Sequence, residues 1–420
     1  MNWAPDASRN IRDRDASWRL FFPAAALYAA LAVPLSLLAM RSSGQWPAGL
    51  AGPALHGREL LFGYGLGVVS GYLLTGLSWR QVLSLLGLWL AARLAWLVQP
   101  LGPVAVMLQA LFGLLLIAIV APRFLGKGRK LRNESLALLI LLLGLSAPLS
   151  DLAWMHGWAV APNTSLTAVL LFAWIMAFMG GRIIAPAAAG ALNRLGMEPA
   201  ARVQPRLEGA LILCLGTAAA TSLLPVAWPA GLLTLTAAGL VAVRLWRWRL
   251  WLCRGRPDLW CLGAGYGWLA IGLLLLGLEL LSGRAPWVLL HGVTVGAMGT
   301  LTWNVMLRAD LQRRRLPPQA SRLPLPGTAL IAAAVLLRLA AVLRPDQGQV
   351  LLGLAAAAWS AAFLMLACRL LYSGRLPPGL PRPSGERRDG VPDQTEGQQH
   401  QQQGKQAQGG AVGSPFKEPP

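Results

Sequence analysis

The sequence predicts an all-α protein, a polytopic membrane bundle of about twelve transmembrane helices. Hydrophobic residues make up 55% of the 420 residues and charged residues only 13%, a balance outside the range of soluble globular proteins. The apolar residues come in blocks of about 18–25, the length that crosses about 30 Å of hydrocarbon as a helix. Because backbone groups in lipid must be hydrogen-bonded within their own segment, these blocks are expected to be helices.

The apolar blocks divide into twelve predicted spans. The closely spaced pairs at 60–99 and 208–245 are the hardest to separate, and Pro225 and Pro229 favour a tight turn within the second pair. The predicted spans are 18–40, 60–78, 80–99, 102–121, 135–152, 165–185, 208–227, 229–245, 259–281, 286–307, 326–343 and 349–372.

The formal net charge of +20 is arranged as a topology signal. Basic residues fill alternate connections, whereas the opposite connections hold little beyond Arg41, Arg58, Arg284 and Arg344. This alternation follows the positive-inside rule and predicts that both termini are cytoplasmic. It also predicts attraction to anionic lipid at the cytoplasmic face and gives no reason to expect nucleic-acid binding. The basic connections contain Arg9, Arg12, Arg14, Arg123, Lys127, Arg129, Lys130, Arg132, Arg194, Arg202, Arg206, Arg247, Arg249, Arg254, Arg256, Arg313, Arg314, Arg315 and Arg322.

Composition divides the chain into three parts: a cytoplasmic N-terminal segment at 1–17, a transmembrane domain at 18–373 and a tail at 374–420. The tail is rich in Pro, Gly, Gln, Glu and Arg and includes a glutamine run around His400. Because the tail has too little apolar surface to offset the conformational entropy lost on ordering, we expect it to be disordered on the cytoplasmic side.

Motifs of common hydrolases and phosphate-binding enzymes do not occur. The sequence has no Gly-x-Ser-x-Gly, no P-loop and no His-Glu-x-x-His. Its four cysteines have no metal-finger spacing and are not expected to form disulfides. These observations favour a non-enzymatic role and leave catalysis undecided.

Three histidines fall near the predicted outer face: His56 before span two, His156 after span five and His291 one turn into span ten. Three imidazoles at one depth on separate helices could ligate a haem iron or a copper ion. Histidines are also common at membrane interfaces, so local capping or packing is the alternative for each. The ligand hypothesis is strongest for His291, which lies deepest.

Other polar residues at membrane depth normally face a partner or a cavity because they are costly in lipid. Glu59, Glu279 and Arg338 are such candidates, and we expect Glu279 to pair with Arg338 or Arg93. For Arg93 the favoured alternative is a side chain that reaches water from near the end of its span, and for Arg338 this alternative is as open as a partner within the bundle.

Glycines recur in span ten at Gly292, Gly296 and Gly299. On an α-helix this spacing would place them on one face, where small residues let another helix approach closely. The same face could instead leave room for a flat macrocycle beside His291.

Several segments together resemble the NnrS family, twelve-span bacterial membrane proteins associated with haem, copper and the response to nitric oxide. The most specific is LHGVTVGAMGTLTWNVMLRA at Leu290–Ala309, and the resemblance runs from about residue 17 to 373. The supporting segments are WRLFF at Trp18–Phe22, HGRELLFG at His56–Gly63, GRIIAP at Gly181–Pro186 and LWCLGAGYGW at Leu259–Trp268.

The resemblance implies a multi-pass protein of the bacterial inner membrane that acts in nitric oxide stress. It implies haem or copper held by His291 and His56, with His156 as a further candidate. Two positions depart from the family pattern: Arg58 and Gly263 stand where the family has histidines.

Two other classes of function stay open. One is a permease for a small solute, with Glu59, Glu279, Arg338 and Thr302 along its path. The other is a non-catalytic assembly partner that recruits others through its tail. The sequence does not predict an oligomeric state.

Overall fold

The computed structural model describes residues 16–42, 46–125, 131–198, 204–283 and 289–375. Within these ranges the chain is helical and contains no strand, which confirms the predicted all-α class. Two π-helical segments, π1 (Leu60–Gly65) and π2 (Gly292–Gly299), continue directly into α-helices. The α-helices are α1 (Ala16–Arg41), α2 (Pro53–Glu59), α3 (Leu66–Leu73), α4 (Trp79–Val98), α5 (Pro103–Val120), α6 (Leu131–Met155), α7 (Thr164–Arg194), α8 (Pro205–Thr221), α9 (Trp228–Arg247), α10 (Pro257–Leu281), α11 (Thr300–Arg313), α12 (Pro324–Leu343) and α13 (Gly348–Arg375).

Nine helices of the described residues are each long and apolar enough to cross a membrane. The other three predicted spans are present but differ in form. Helix α8 has only 17 residues, and spans two and ten are divided by π1 and π2. Joined through their π segments, α2–π1–α3 and π2–α11 complete the predicted set of twelve.

The first and last helices pack against each other in opposite directions. Trp359 donates its indole N–H to the Ala29 carbonyl at 2.9 Å, and the Arg41 guanidinium donates to the Gln349 carbonyl at 3.3 Å. The start of α1 and the end of α13 therefore lie at the same end of the bundle. We call this the arginine end, and the opposite end, where α1 ends and α2 begins, the histidine end.

Helix α10 and π2 cross at very close range. A Cβ on Gly272 would lie 2.5 Å from the backbone nitrogen of Val293, so only glycine permits this contact. The single glycine face predicted for span ten is wrong, because the segment is π-helical rather than α-helical. A Cβ on Gly296 would meet Trp268 of α10, whereas one on Gly299 would meet Trp359 of α13.

Some predictions concern residues outside the described ranges. These are the N-terminal segment up to residue 15, the tail from 376 onward with His400, and part of the basic connections. The first span begins at Ala16 rather than residue 18. The four cysteines, all described, are free.

Candidate functional site

A cavity of about 320 Å³ lies at the histidine end, between α1, α2–π1, α7, π2, α12 and α13. We call it the histidine cavity. His56 and His291 both line it, although they lie on the second and tenth spans. Its wall is mainly apolar, and among the residues that the structure describes no acidic side chain contributes to it. The polar lining consists of Ser36, His56, Tyr64, Ser165, His291, Thr294 and Arg338.

The tautomer of His56 follows from its hydrogen bonds. Its Nδ1 lies 2.8 Å from the Ser36 hydroxyl oxygen, and that hydroxyl donates its proton to the Ala32 carbonyl at 2.7 Å. The Ser36 oxygen must therefore accept, so Nδ1 carries the proton and Nε2 keeps a lone pair. This is the arrangement that holds a metal-ligating histidine in place.

His291 also lines the cavity, from the tenth span. It directly precedes π2 and is half-buried, with Leu290 and Thr294 beside it in the lining. Met298, four residues after Thr294 on π2, adds a thioether to the lining. The second and tenth spans thus each present one imidazole to one space.

Arg338 is the cationic member of the lining, contributed by α12. It interacts electrostatically with His56. Within the described residues it forms no ion pair, and its expected pairing with Glu279 is wrong. Glu279 instead accepts a hydrogen bond from the backbone N–H of Leu289 at 3.3 Å and does not line the cavity.

His156 lies outside this cavity. It is exposed in the turn after α6 and stacks on Trp158 with ring centroids 6.0 Å apart. Of the three histidines predicted to share a site, the structure brings two together and leaves the third at the surface.

A buried ion cluster occupies the other side of α2. The Arg58 guanidinium donates to both carboxylate oxygens of Asp151, at 2.9 and 2.5 Å, and to Glu59 at 2.9 Å. It also lies over the indole of Trp96, 3.4 Å from the ring centroid. This bidentate and stacked geometry is specific to arginine.

The same cluster continues through Glu59 to three further helices. Arg93 of α4 donates to Glu59 at 2.8 Å and also to Gln109 of α5. Tyr28 of α1 donates to the second Glu59 oxygen. Arg93 is only 2% exposed, so the expectation that it reaches water is wrong. Two arginines and two carboxylates leave the cluster neutral.

Tyr64 forms the floor of the histidine cavity and is hydrogen-bonded to Thr302. Beyond this pair lies a second cavity of about 90 Å³ with an almost wholly apolar lining. It shares Tyr72, Ile183 and Val305 with a cleft of about 350 Å³ toward the arginine end. The Tyr64–Thr302 pair therefore separates spaces that follow one another through the bundle.

Ion pairs at the arginine end fix the ends of spans. Asp258 accepts hydrogen bonds from Arg256 at 2.8 Å and from Arg308 at 2.9 Å, which joins α10 to α11. The bonds to Asp258 raise the pKa of Arg256, which precedes α10. Arg244 of α9 similarly contacts Glu208 of α8 at 3.1 Å. These pairs have a structural role.

A family model described as "NnrS protein" matches residues 14–372. The chain belongs to the NnrS family. No curated protein and no solved structure matches it. In this NnrS protein His56 and His291 line one cavity, whereas Arg58 and Gly263 lie elsewhere. Arg58 belongs to the ion cluster, and a Cβ at Gly263 would meet Leu250 near the arginine end.

Sequence reasoning missed Asp151, Gln109 and Ser36. Asp151 carried a usable signal, because a carboxylate inside the predicted span 135–152 is costly and needs a partner. Ser36 and Gln109 carried none, since serine and glutamine are tolerated in spans for many reasons.

Proposed function

We propose that this NnrS protein acts in the bacterial response to nitric oxide and binds haem or copper near the outer face through His56 and His291. The observation that carries the proposal is the shared cavity, in which Ser36 leaves the Nε2 lone pair of His56 available for a metal. His156 is not included, because it lies outside the cavity.

The donor set fits haem better than a copper ion bound by protein alone. No group of three or more His, Cys, Asp or Glu side chains that could hold a metal occurs within the described ranges. A porphyrin supplies four nitrogens, so haem iron would need only one or two further ligands from protein, and histidine is a common one. The apolar wall also suits a macrocycle, and about 320 Å³ lies within the range of ligand pockets.

When bound, haem would supply an iron centre able to bind small diatomic ligands. The protein's own contributions would be orientation and exclusion of water. Ser36 fixes the ring of His56, Tyr64 and Trp359 close the floor, and the apolar wall lowers the local dielectric.

We infer the orientation from the described arginines. The arginine end carries most of the basic connections, so the positive-inside rule assigns it to the cytoplasm and the histidine cavity to the outer side of the inner membrane. The same arginines would attract anionic lipid in the inner leaflet.

Purification of the full chain in detergent, followed by haem and copper quantification, tests the cofactor. We expect a Soret band and close to one haem per chain after expression with added haem precursor. The nitric oxide role is tested separately: a deletion strain should grow poorly with a nitric oxide donor, and growth should return with the wild-type gene but not with His291→Ala. Neither haem nor copper in the purified protein would refute the cofactor proposal.

The row of cavities supports a second candidate, a permease for a small solute. Glu59 and Glu279 do not line these spaces, so the path would instead run past Arg338, Tyr64 and Thr302. In proteoliposomes, Tyr64→Ala should increase glycerol or urea flux, whereas Tyr372→Ala, on exposed surface, should not. Equal flux in both variants would refute a gate at Tyr64.

A further inference from the structure

Buried arginines in this bundle are neutralised by carboxylates. Arg58 pairs with Asp151, Arg93 with Glu59, and Arg244 with Glu208. This follows from the cost of a charge away from water, which proteins offset with a partner of opposite sign. Pairing is therefore the local rule against which other arginines can be compared.

Arg338 is half-buried and, unlike those three arginines, has no carboxylate partner within the described ranges. It lines the histidine cavity together with mainly apolar side chains, and no Asp or Glu of the described residues contributes to that lining. It forms no ion pair within the described ranges. His56 cannot neutralise the positive charge of Arg338, because a protonated imidazole would add a second positive charge. The cavity thus presents one positive charge that the lining does not neutralise.

A bare metal cation is a poor match for such a cavity, because Arg338 would repel it. A ligand that brings its own negative charge is a good match. Haem combines both requirements, since its iron accepts imidazole ligands while its two propionates are carboxylates. Arginine is well suited to carboxylates because its planar guanidinium can donate two parallel hydrogen bonds.

We propose that Arg338 is the carboxylate anchor of the histidine cavity, so that its ligand is an anionic metalloporphyrin held by a propionate rather than a free metal ion. The inference rests on the proposed cofactor function. It adds a specificity residue on α12 that has no part in iron ligation. The two histidines bind the metal, and Arg338 selects the charge of the molecule that carries it.

Haem and its dimethyl ester distinguish these roles, because the ester keeps the iron and the ring but has no carboxylates. We expect purified wild-type protein to release the ester about tenfold to hundredfold faster than haem, the range of one charge-assisted hydrogen bond. Arg338→Gln should release both at the same fast rate while keeping the position of the Soret band. Arg338→Lys should restore part of the discrimination, since it keeps the charge but not the planar fork.

Arg344→Gln is the matched control, because Arg344 is exposed just beyond the end of the same helix and outside the cavity. It should behave as wild type. Thermal unfolding of each variant checks that the bundle is intact, and Arg338→Lys serves if Arg338→Gln does not fold. Equal release of haem and ester by wild-type protein, or discrimination retained in Arg338→Gln, would overturn the anchor alone. Absence of any haem binding would overturn both the anchor and haem as the cofactor.

Discussion

The two faces of the short helix α2 differ in how their polar side chains are accommodated inside the membrane. On one face of α2, Arg58 is neutralised by Asp151 and Glu59, and every one of these side chains is at least 95% buried. On the other face, His56 lines a cavity that also holds the unneutralised cation of Arg338.

The difference separates structural groups from ligand-binding groups. A cluster whose charges cancel and whose hydrogen bonds are made within the protein holds five helices together. A cavity with an available imidazole lone pair and an uncompensated positive charge is suited to an external molecule. His56 and Arg58 lie two residues apart in the sequence, and helical geometry directs them to different neighbours.

The largest effect is expected from breaking the cluster. Asp151→Ala leaves Arg58 with only part of its neutralising charge, and loss of one partner of a buried pair costs about 3–5 kcal/mol. Unfolding in mixed detergent should show this loss. The control is Asp346→Ala, which removes an exposed carboxylate at the histidine end and should change stability by less than about 0.5 kcal/mol. Equal stability of the two variants would show that the cluster does not hold the bundle together.

Arg58→His tests whether position 58 belongs to the ligand site. It places an imidazole at a position that faces Asp151 and Trp96. We expect destabilisation of about 2 kcal/mol, because one imidazole cannot replace the bidentate pair and the ring contact. The visible spectrum of the haem-loaded protein should stay as in wild type. A shifted Soret band would place residue 58 among the ligands and remove the distinction between the two faces.

A smaller effect is expected on the cavity side. Ser36→Ala removes the group that fixes the His56 tautomer, and changes of this kind lower metal affinity by about tenfold or somewhat more. Stability should change little, since one small hydroxyl is lost. Ser146→Ala, on α6 away from the cavity, is the control. The measurement is the rate of haem release from both variants. Equal rates would count against His56 as a ligand.

The sequence predicted the spans well because lipid imposes a length and an apolar composition that are visible residue by residue. The π segments were not predictable, since they depend on how α10 and α13 pack against Gly292 and Gly299. This is why the predicted glycine face was wrong.

The pairing of side chains in the ion cluster could not be predicted from the sequence either. Arg58 and Asp151 are far apart in sequence, and only tertiary packing brings them together. The sequence identified Glu59, Glu279, Arg338 and Arg93 as costly groups but gave no means to assign partners, so the expected partner of Glu279 was wrong. The shared cavity of His56 and His291 agreed with their predicted common depth, whereas the same argument placed His156 too close to them.

The most direct test is the absorption spectrum of the haem-loaded protein in three single variants: His56→Ala, His291→Ala and His156→Ala. We predict that the first two lose or shift the Soret band while thermal stability stays close to that of wild type, and that His156→Ala leaves the band unchanged. A band that survives unaltered in both His56→Ala and His291→Ala would contradict the assignment of the histidine cavity as the ligand site.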